Sequence, residues 1–249
     1  MGTLGATVLE QGSIPCASTR FLLFAHNTRM NRIRALTVAF ACLASCYVFA
    51  QDLTQTHGKK DSEILAMGYD KWYKFYTGKE GESTAGMCLA TTLYAESMAR
   101  RNDNLMRKAS TGSKAQLLSL RSLLNKFGET MTNCGYAHSG GGTIWNLSYA
   151  NVPYNTETVL WGMLGGGVPK AKAMKVSDAR NALAKTKAMM SKKSEFDGRD
   201  EDWKMLQDNL KSADSLMNQT ISIASKTPRS HSDLILSFLQ NWGDMSKRM

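Results

Sequence analysis

The sequence predicts an all-α protein, and three observations predict it. From about residue 61 onward, apolar side chains recur at steps of three and four, as one face of a helix requires. Nowhere in that stretch do apolar and polar residues alternate for long enough to make a strand. Only four of the 249 residues are proline, while 43% are hydrophobic, enough for one core of ordinary size. Collagen-like, disordered and disulfide-dense chains are excluded by the same composition. The expected architecture is a single antiparallel bundle of about six helices, interrupted by one long loop rich in glycine and aromatic residues.

The first helix is expected over 61–78, with Asp61 as N-cap, Gly78 as stop, and Ile64, Gly68, Trp72, Phe75 and Tyr76 along one side. A second runs from about Ser83 through Met87, Leu89, Leu93 and Met98 toward Arg107. The third, capped by Ser113, sets Leu117, Leu120, Leu124, Phe127 and Met131 at steps of 3, 4, 3 and 4, which is a bundle seam. The texture then changes, because residues 134–167 hold eight of the twenty glycines, including the triplets Gly140-Gly141-Gly142 and Gly165-Gly166-Gly167. A short helix over 156–164 interrupts this region, and helices resume over 171–192 and 200–226. In the latter, Trp203, Leu206, Leu210, Ala213 and Met217 repeat the seam spacing. Pro228 and Ser232 precede a final helix carrying Leu234, Leu236, Phe238, Leu239 and Trp242.

Residues 30–50 read as an export signal. Arg32 and Arg34 supply the positive start, Ala35 to Ala44 the apolar stretch, and Val48-Phe49-Ala50 the small residues before cleavage, so the mature chain is expected to begin at Gln51. The apolar run is too short and lacks the charged flank of a transmembrane anchor. Leu43-Ala44-Ser45-Cys46 has the form of a lipobox, but apolar Tyr47 to Ala50 follows Cys46 where a lipoprotein tether is polar. Residues 1–29 read as an upstream start chosen in error or a disordered extension. The domain organisation is thus 1–29, a leader over 30–50, and one mature helical domain over 51–249, exported to the periplasm or beyond.

Export leaves Cys88 and Cys134 as the only mature cysteines, and in an oxidising compartment they are expected to pair. Two buried thiols are the competing arrangement. Charge is concentrated as well. The mature chain has a net charge of +7, and residues 170–193 alone, with eight basic residues against Asp178, carry that excess. Projected on a helix, Arg180 and Lys187 flank a narrow apolar stripe of Val176, Ala179, Leu183 and Met190, and with Lys172 and Lys175 they mark a polyanion or anionic-membrane surface. The acids that follow, Glu195, Asp197, Asp200, Glu201 and Asp202, offer an intramolecular alternative. Nothing points to a specific nucleic acid.

The segment 134–155 is where the chain departs furthest from helical economy, and long ordered loops tend to carry function. Tyr136, His138, Trp145, Asn146 and Tyr149 are its candidate ligand-binding residues, since rigid rings with polar tips sit among adaptable amides. The competing arrangement is a plug in which those aromatics fill one end of the bundle. His138, beside three glycines, is the candidate acid or base if the protein is an enzyme. Cys134 and His138 lack the second ligand pair a metal needs, and neither glycine triplet is a phosphate loop, so neither metal nor cofactor is expected.

Glu96-Ser97 is similar to the Glu-Ser pair of secreted cell-wall transglycosylases, but the segment that follows it in that family is absent, and Glu96 reads as a solvated helix residue. The run Trp72-Tyr73-Lys74-Phe75-Tyr76 suits a stacking platform for sugars or bases, with Lys71 and Lys74 beside it, although its spacing suits a core better. The functional expectation is an exported helical binding or interaction module for an envelope ligand or protein. The alternative is an envelope hydrolase built on 134–155.

Overall fold

A computed structural model describes residues 56–80, 82–167 and 172–247. The leader, its cleavage site, and Cys16, Cys42 and Cys46 lie outside the described residues. The chain divides into Met1–Gly58 and Lys59–Met249; every element below belongs to the second unit. Among the described residues all regular structure is helical: α1 Asp61–Met67, α2 Tyr69–Glu80, α3 Thr84–Met106, α4 Thr111–Ser139, α5 Ile144–Met163, α6 Val176–Met189, α7 Asp200–Ala224 and α8 Arg229–Gly243. Single 3-10 turns, Lys193–Phe196 and Met245–Lys247, precede α7 and follow α8.

Local chemistry explains most of these boundaries. Ser83 caps α3 by accepting from the Gly86 amide at 3.1 Å. α4 begins earlier than its apolar seam suggests, because Ser110 rather than Ser113 is the cap and accepts from the Ser113 amide. The expected first helix is two helices. Gly68 adopts φ 75 and ψ 160, a conformation few other residues tolerate, and turns the chain between α1 and α2.

The largest difference from the sequence reading lies at 134–155. These residues are helical on both sides of a short turn, with α4 continuing to Ser139 and α5 starting at Ile144. Gly140, at φ 72 and ψ 24, ends α4 in the left-handed conformation, and the Gly141 amide reaches back to the Tyr136 carbonyl at 2.9 Å. The second triplet repeats the device, with the Gly166 amide donating to the Trp161 carbonyl at 2.8 Å. Both triplets therefore punctuate helices. No loop insertion exists here, and the bundle has eight helices among the described residues instead of about six.

Two hydrophobic clusters organise the unit. The smaller joins Ile64, Trp72, Tyr76, Ala90, Leu93, Tyr94 and Met98 of α1, α2 and α3; the Trp72 indole nitrogen donates to the Ala90 carbonyl at 2.8 Å. The larger gathers α4, α6, α7 and α8 around Leu124, Phe127, Met131, Leu206, Leu239 and Trp242. α5 contributes to both. Its Trp145, Val152, Val159 and Leu160 enter the larger cluster, while Tyr154 and Trp161 pack against the smaller one. A helix apolar on opposite sides shows no amphipathic stripe, which is why the sequence revealed only its second half, over 156–164.

α4 admits α5 through two glycines. A Cβ built on Gly128 would lie 2.8 Å from Val152, and one on Gly135 would lie 2.2 Å from the Trp145 ring. The seven-residue spacing 128 to 135 on α4 runs against 152 to 145 on α5, so the two helices are antiparallel neighbours in close contact. A buried ionic link fixes the third partner. Glu157 of α5 lies 2.8 Å from the Arg121 Nε of α4 and accepts from the Asn102 amide of α3 at 2.9 Å, while Arg121 also donates to Asp103 at 2.6 Å. Burial pushes the Glu157 carboxyl above its usual range, against the opposing pull of Arg121.

Replacing a helical glycine by alanine ordinarily stabilises by about 0.5–1 kcal/mol. Gly78, with open space around its Cβ position, should follow that rule. Gly135→Ala should instead cost about 1–3 kcal/mol, the range for overpacking a filled core. Urea unfolding of the two variants tests this, and two changes of the same sign would contradict the close contact.

Candidate functional site

The structure packs three of the expected site residues of 134–155 on the larger cluster and sets His138 and Asn146 apart from them. Trp145 is buried in the larger cluster, with its indole nitrogen donating to Ser139 Oγ at 2.7 Å. Tyr136 and Tyr149 pack against the same cluster, and the Tyr149 hydroxyl donates to Asn133 Oδ1. Burial pushes that hydroxyl up to about 12, so it stays protonated at neutral pH. Asn146 is half-buried in the first turn of α5.

His138 points elsewhere. Its Nε2 lies 3.1 Å from Glu195 Oε2, and its ring meets Phe196 edge-on at 5.6 Å. Arg199 closes the same end of α4 by donating to the carbonyls of Ala137 and His138, at 3.4 and 3.2 Å. A guanidinium on the last carbonyls of a helix satisfies acceptors that have no intrahelical partner. None of the five expected ligand residues lines either of the two grooves described below.

The basic segment is largely engaged within the chain. Lys187 pairs with Asp214 on α7, Lys185 reaches Asp244 at 3.5 Å, and Lys192 and Lys193 reach Glu195 and Asp200 at 3.7 and 3.6 Å. Arg180 donates to Asn218 at 3.5 Å. Lys172 and Lys175 are exposed, and the Lys175 amide at the start of α6 donates to Asp178.

A groove of about 340 Å³ opens between α2 and α5, lined by Tyr69, Asp70, Tyr73, Lys74, Leu147 and Asn151. It joins part of the aromatic run to part of the segment 134–155. The run itself divides by helical position. Trp72 and Tyr76 are core, whereas Tyr69 and Tyr73 are half-buried and turn toward the groove. Tyr69 is held on three sides. It stacks on Tyr154 at 4.4 Å, meets Tyr94 edge-on at 5.5 Å, and its hydroxyl shares a 2.9 Å hydrogen bond with Thr91. Burial raises the Tyr69 and Tyr73 hydroxyls, and raises Tyr154 to about 12, so all three remain neutral groups near pH 7. The groove thus offers fixed ring edges and faces, one carboxylate, one ammonium and one amide. In the sequence Tyr73 and Lys74 belong to the aromatic run and Asn151 to the segment 134–155, far apart along the chain. Nothing in one dimension signals that Asp70 and Leu147 complete the same groove.

Compared with protein-family models, curated protein sequences and solved structures, the chain matches none of them.

The expected Cys88–Cys134 bridge is not formed. Cys134 sits wholly buried on α4 in the larger cluster, whereas Cys88 lies on α3 near Tyr69 and Tyr73 beside the smaller one. Burial pushes the Cys134 thiol up to about 12 from an ordinary 9. At pH 8 that leaves on the order of a thousandfold less thiolate than an ordinary cysteine has. Alkylation of the folded protein should therefore spare Cys134, and a non-reduced digest should carry Cys88 and Cys134 on separate, unlinked peptides. A linked peptide would contradict the structure.

Proposed function

We propose that this protein is an exported, non-catalytic helical binding module of a bacterial envelope, and that it takes its ligand in the groove between α2 and α5. The observation that carries the reading is the composition of that groove: Tyr69 and Tyr73 beside Asp70, Lys74 and Asn151. Aromatic faces with hydrogen-bonding groups at their rim suit a ring that is apolar on its faces and polar at its edges. Sugars have that form, and envelope glycans present them to an exported protein. Tyr69 is already braced by Tyr154, Tyr94 and Thr91, so little side-chain freedom is lost when a ring stacks on it. An anionic membrane contact through 170–193 is supported by Lys172, Lys175 and Arg180, which have no carboxylate partner among the described residues.

A hydrolase using His138 is the second reading, favoured by Glu195, which stands where an orienting carboxylate would. The two readings separate in one experiment. Calorimetry with N-acetylglucosamine oligomers and soluble peptidoglycan fragments should show binding to the purified protein, with the ligand recovered intact. Tyr73→Ala and Asn151→Ala should each weaken it, Tyr73→Ala by about tenfold, the upper range of one ring contact. Cleavage of the glycan that disappears in His138→Ala would favour the hydrolase. Binding unchanged by both groove variants, or no binding, would overturn the proposal.

A further inference from the structure

A second cleft, of about 540 Å³, lies between α1 and α3. Asp61, Ser62, Leu65 and Ala66 form one wall. The other is a single stripe of α3 and its following turn, Ser97, Arg100, Arg101, Asn104, Leu105 and Lys108, which the three-to-four spacing places on one helix face. Its size falls among clefts that hold small molecules.

The three cations of this cleft are not equivalent. Arg100 is committed: it holds Asp61 through two bonds, Nε to Oδ2 at 2.6 Å and Nη2 to Oδ1 at 2.7 Å, and also lies 3.5 Å from Glu96. Ser97 adds a 2.9 Å bond to the same Asp61 carboxylate. The Arg100 hydrogen bond holds Asp61 below its usual carboxylate range, so the pair stays charged and closed on itself. Burial raises Glu96, which is half-buried rather than solvated, against the pull of Arg100. Arg101 and Lys108, by contrast, have no carboxylate partner among the described residues.

Arg101 is nonetheless held in place. Its guanidinium lies over the Trp161 ring of α5, 3.2 Å from the centroid. Stacking uses the face of the guanidinium and leaves its N–H edge available, the arrangement that suits a two-pronged grip on an oxyanion. Leu65, Ala66 and Leu105 line the same cleft and supply an apolar surface. We infer that the α1–α3 cleft is a binding site for a small amphiphilic anion, a phosphate or carboxylate gripped by Arg101 and Lys108 with a short alkyl arm laid against Leu65, Ala66 and Leu105. The site is separate from the tyrosine groove and does not rest on it.

The test uses octyl phosphate below its micelle concentration, with inorganic phosphate and octyl glucoside as probes that each keep half of the chemistry. Calorimetry on the purified protein should give octyl phosphate an affinity at least about tenfold above either, with affinity falling as salt rises. Arg101→Gln and Lys108→Gln, both exposed positions, should each weaken octyl phosphate by about fivefold or more while circular dichroism stays unchanged. Trp161 supplies an independent readout, since it lies under Arg101 whereas Trp72, Trp145 and Trp242 are buried and Trp203 packs against Phe196 on the larger cluster: its emission should change on binding, and Trp161→Phe should remove most of that change. Equal affinity for octyl phosphate and octyl glucoside, an Arg101→Gln/Lys108→Gln double variant that binds as well as the parent, or no binding, would overturn the inference.

Discussion

The contact of α5 with α4 across Gly128 and Gly135 is the constraint on which the rest of the arrangement depends. Val152 and the Trp145 ring occupy space that two side chains on α4 would otherwise fill. Interiors are packed to near-crystal density, so such positions tolerate no added methyl without displacement. Because α5 is drawn this close to one neighbour, its opposite side is left to receive Tyr69, Tyr94 and the rest of the smaller cluster through Tyr154 and Trp161. Both grooves follow from that placement. The tyrosine groove is walled by α2 and α5, and Arg101 at the other cleft is braced by a tryptophan of α5.

The buried link among Asn102, Asp103, Arg121 and Glu157 plays a different part from the apolar contacts. Taking Glu157 and most of Arg121 out of water costs several kcal/mol, which their attraction offsets only with well-aligned partners. Such a link adds little net stability, but shifting α4 or α5 by one turn would leave the Glu157 carboxylate buried without its guanidinium. Hydrophobic contact sets how tightly α3, α4 and α5 pack; the ionic link discriminates against neighbouring registers. Apolar surface alone is permissive about a slide of one turn, and a buried charge is not.

What was legible in the sequence follows the same physics. The seams of α4 and α7 were plain because each helix has one buried and one wet side: Leu120, Leu124, Phe127 and Met131, and Leu206, Leu210, Ala213 and Met217, are all buried as their spacing implies. The start of α3 near Ser83 was legible as well. The second half of α5 was legible as a helix over 156–164, but its first half was not, for three reasons that compound: the helix is apolar on opposite sides, it contains Pro153, and glycine triplets flank it. Each feature reads as a loop in one dimension, yet the triplets are helix stops and the missing polar face is a consequence of burial. The competing idea that Trp145 plugs the bundle described its environment better than a ligand role, but it plugs as part of a helix. The tyrosine groove was visible only in fragments, since Tyr73 and Asn151 lie 78 positions apart and only the α2–α5 placement joins them.

Native-state hydrogen exchange across residues 144–163 tests this account most directly. A helix buried between two clusters opens only in the larger unfolding events of the domain, whereas an ordered surface loop exchanges through local fluctuations. The account predicts that the amides of Val152 to Leu160, leaving out Pro153, exchange among the slowest in the protein and at rates matching Leu124 to Met131 of α4. Exchange in that stretch approaching the rate of unstructured peptide, while α4 stays protected, would contradict it.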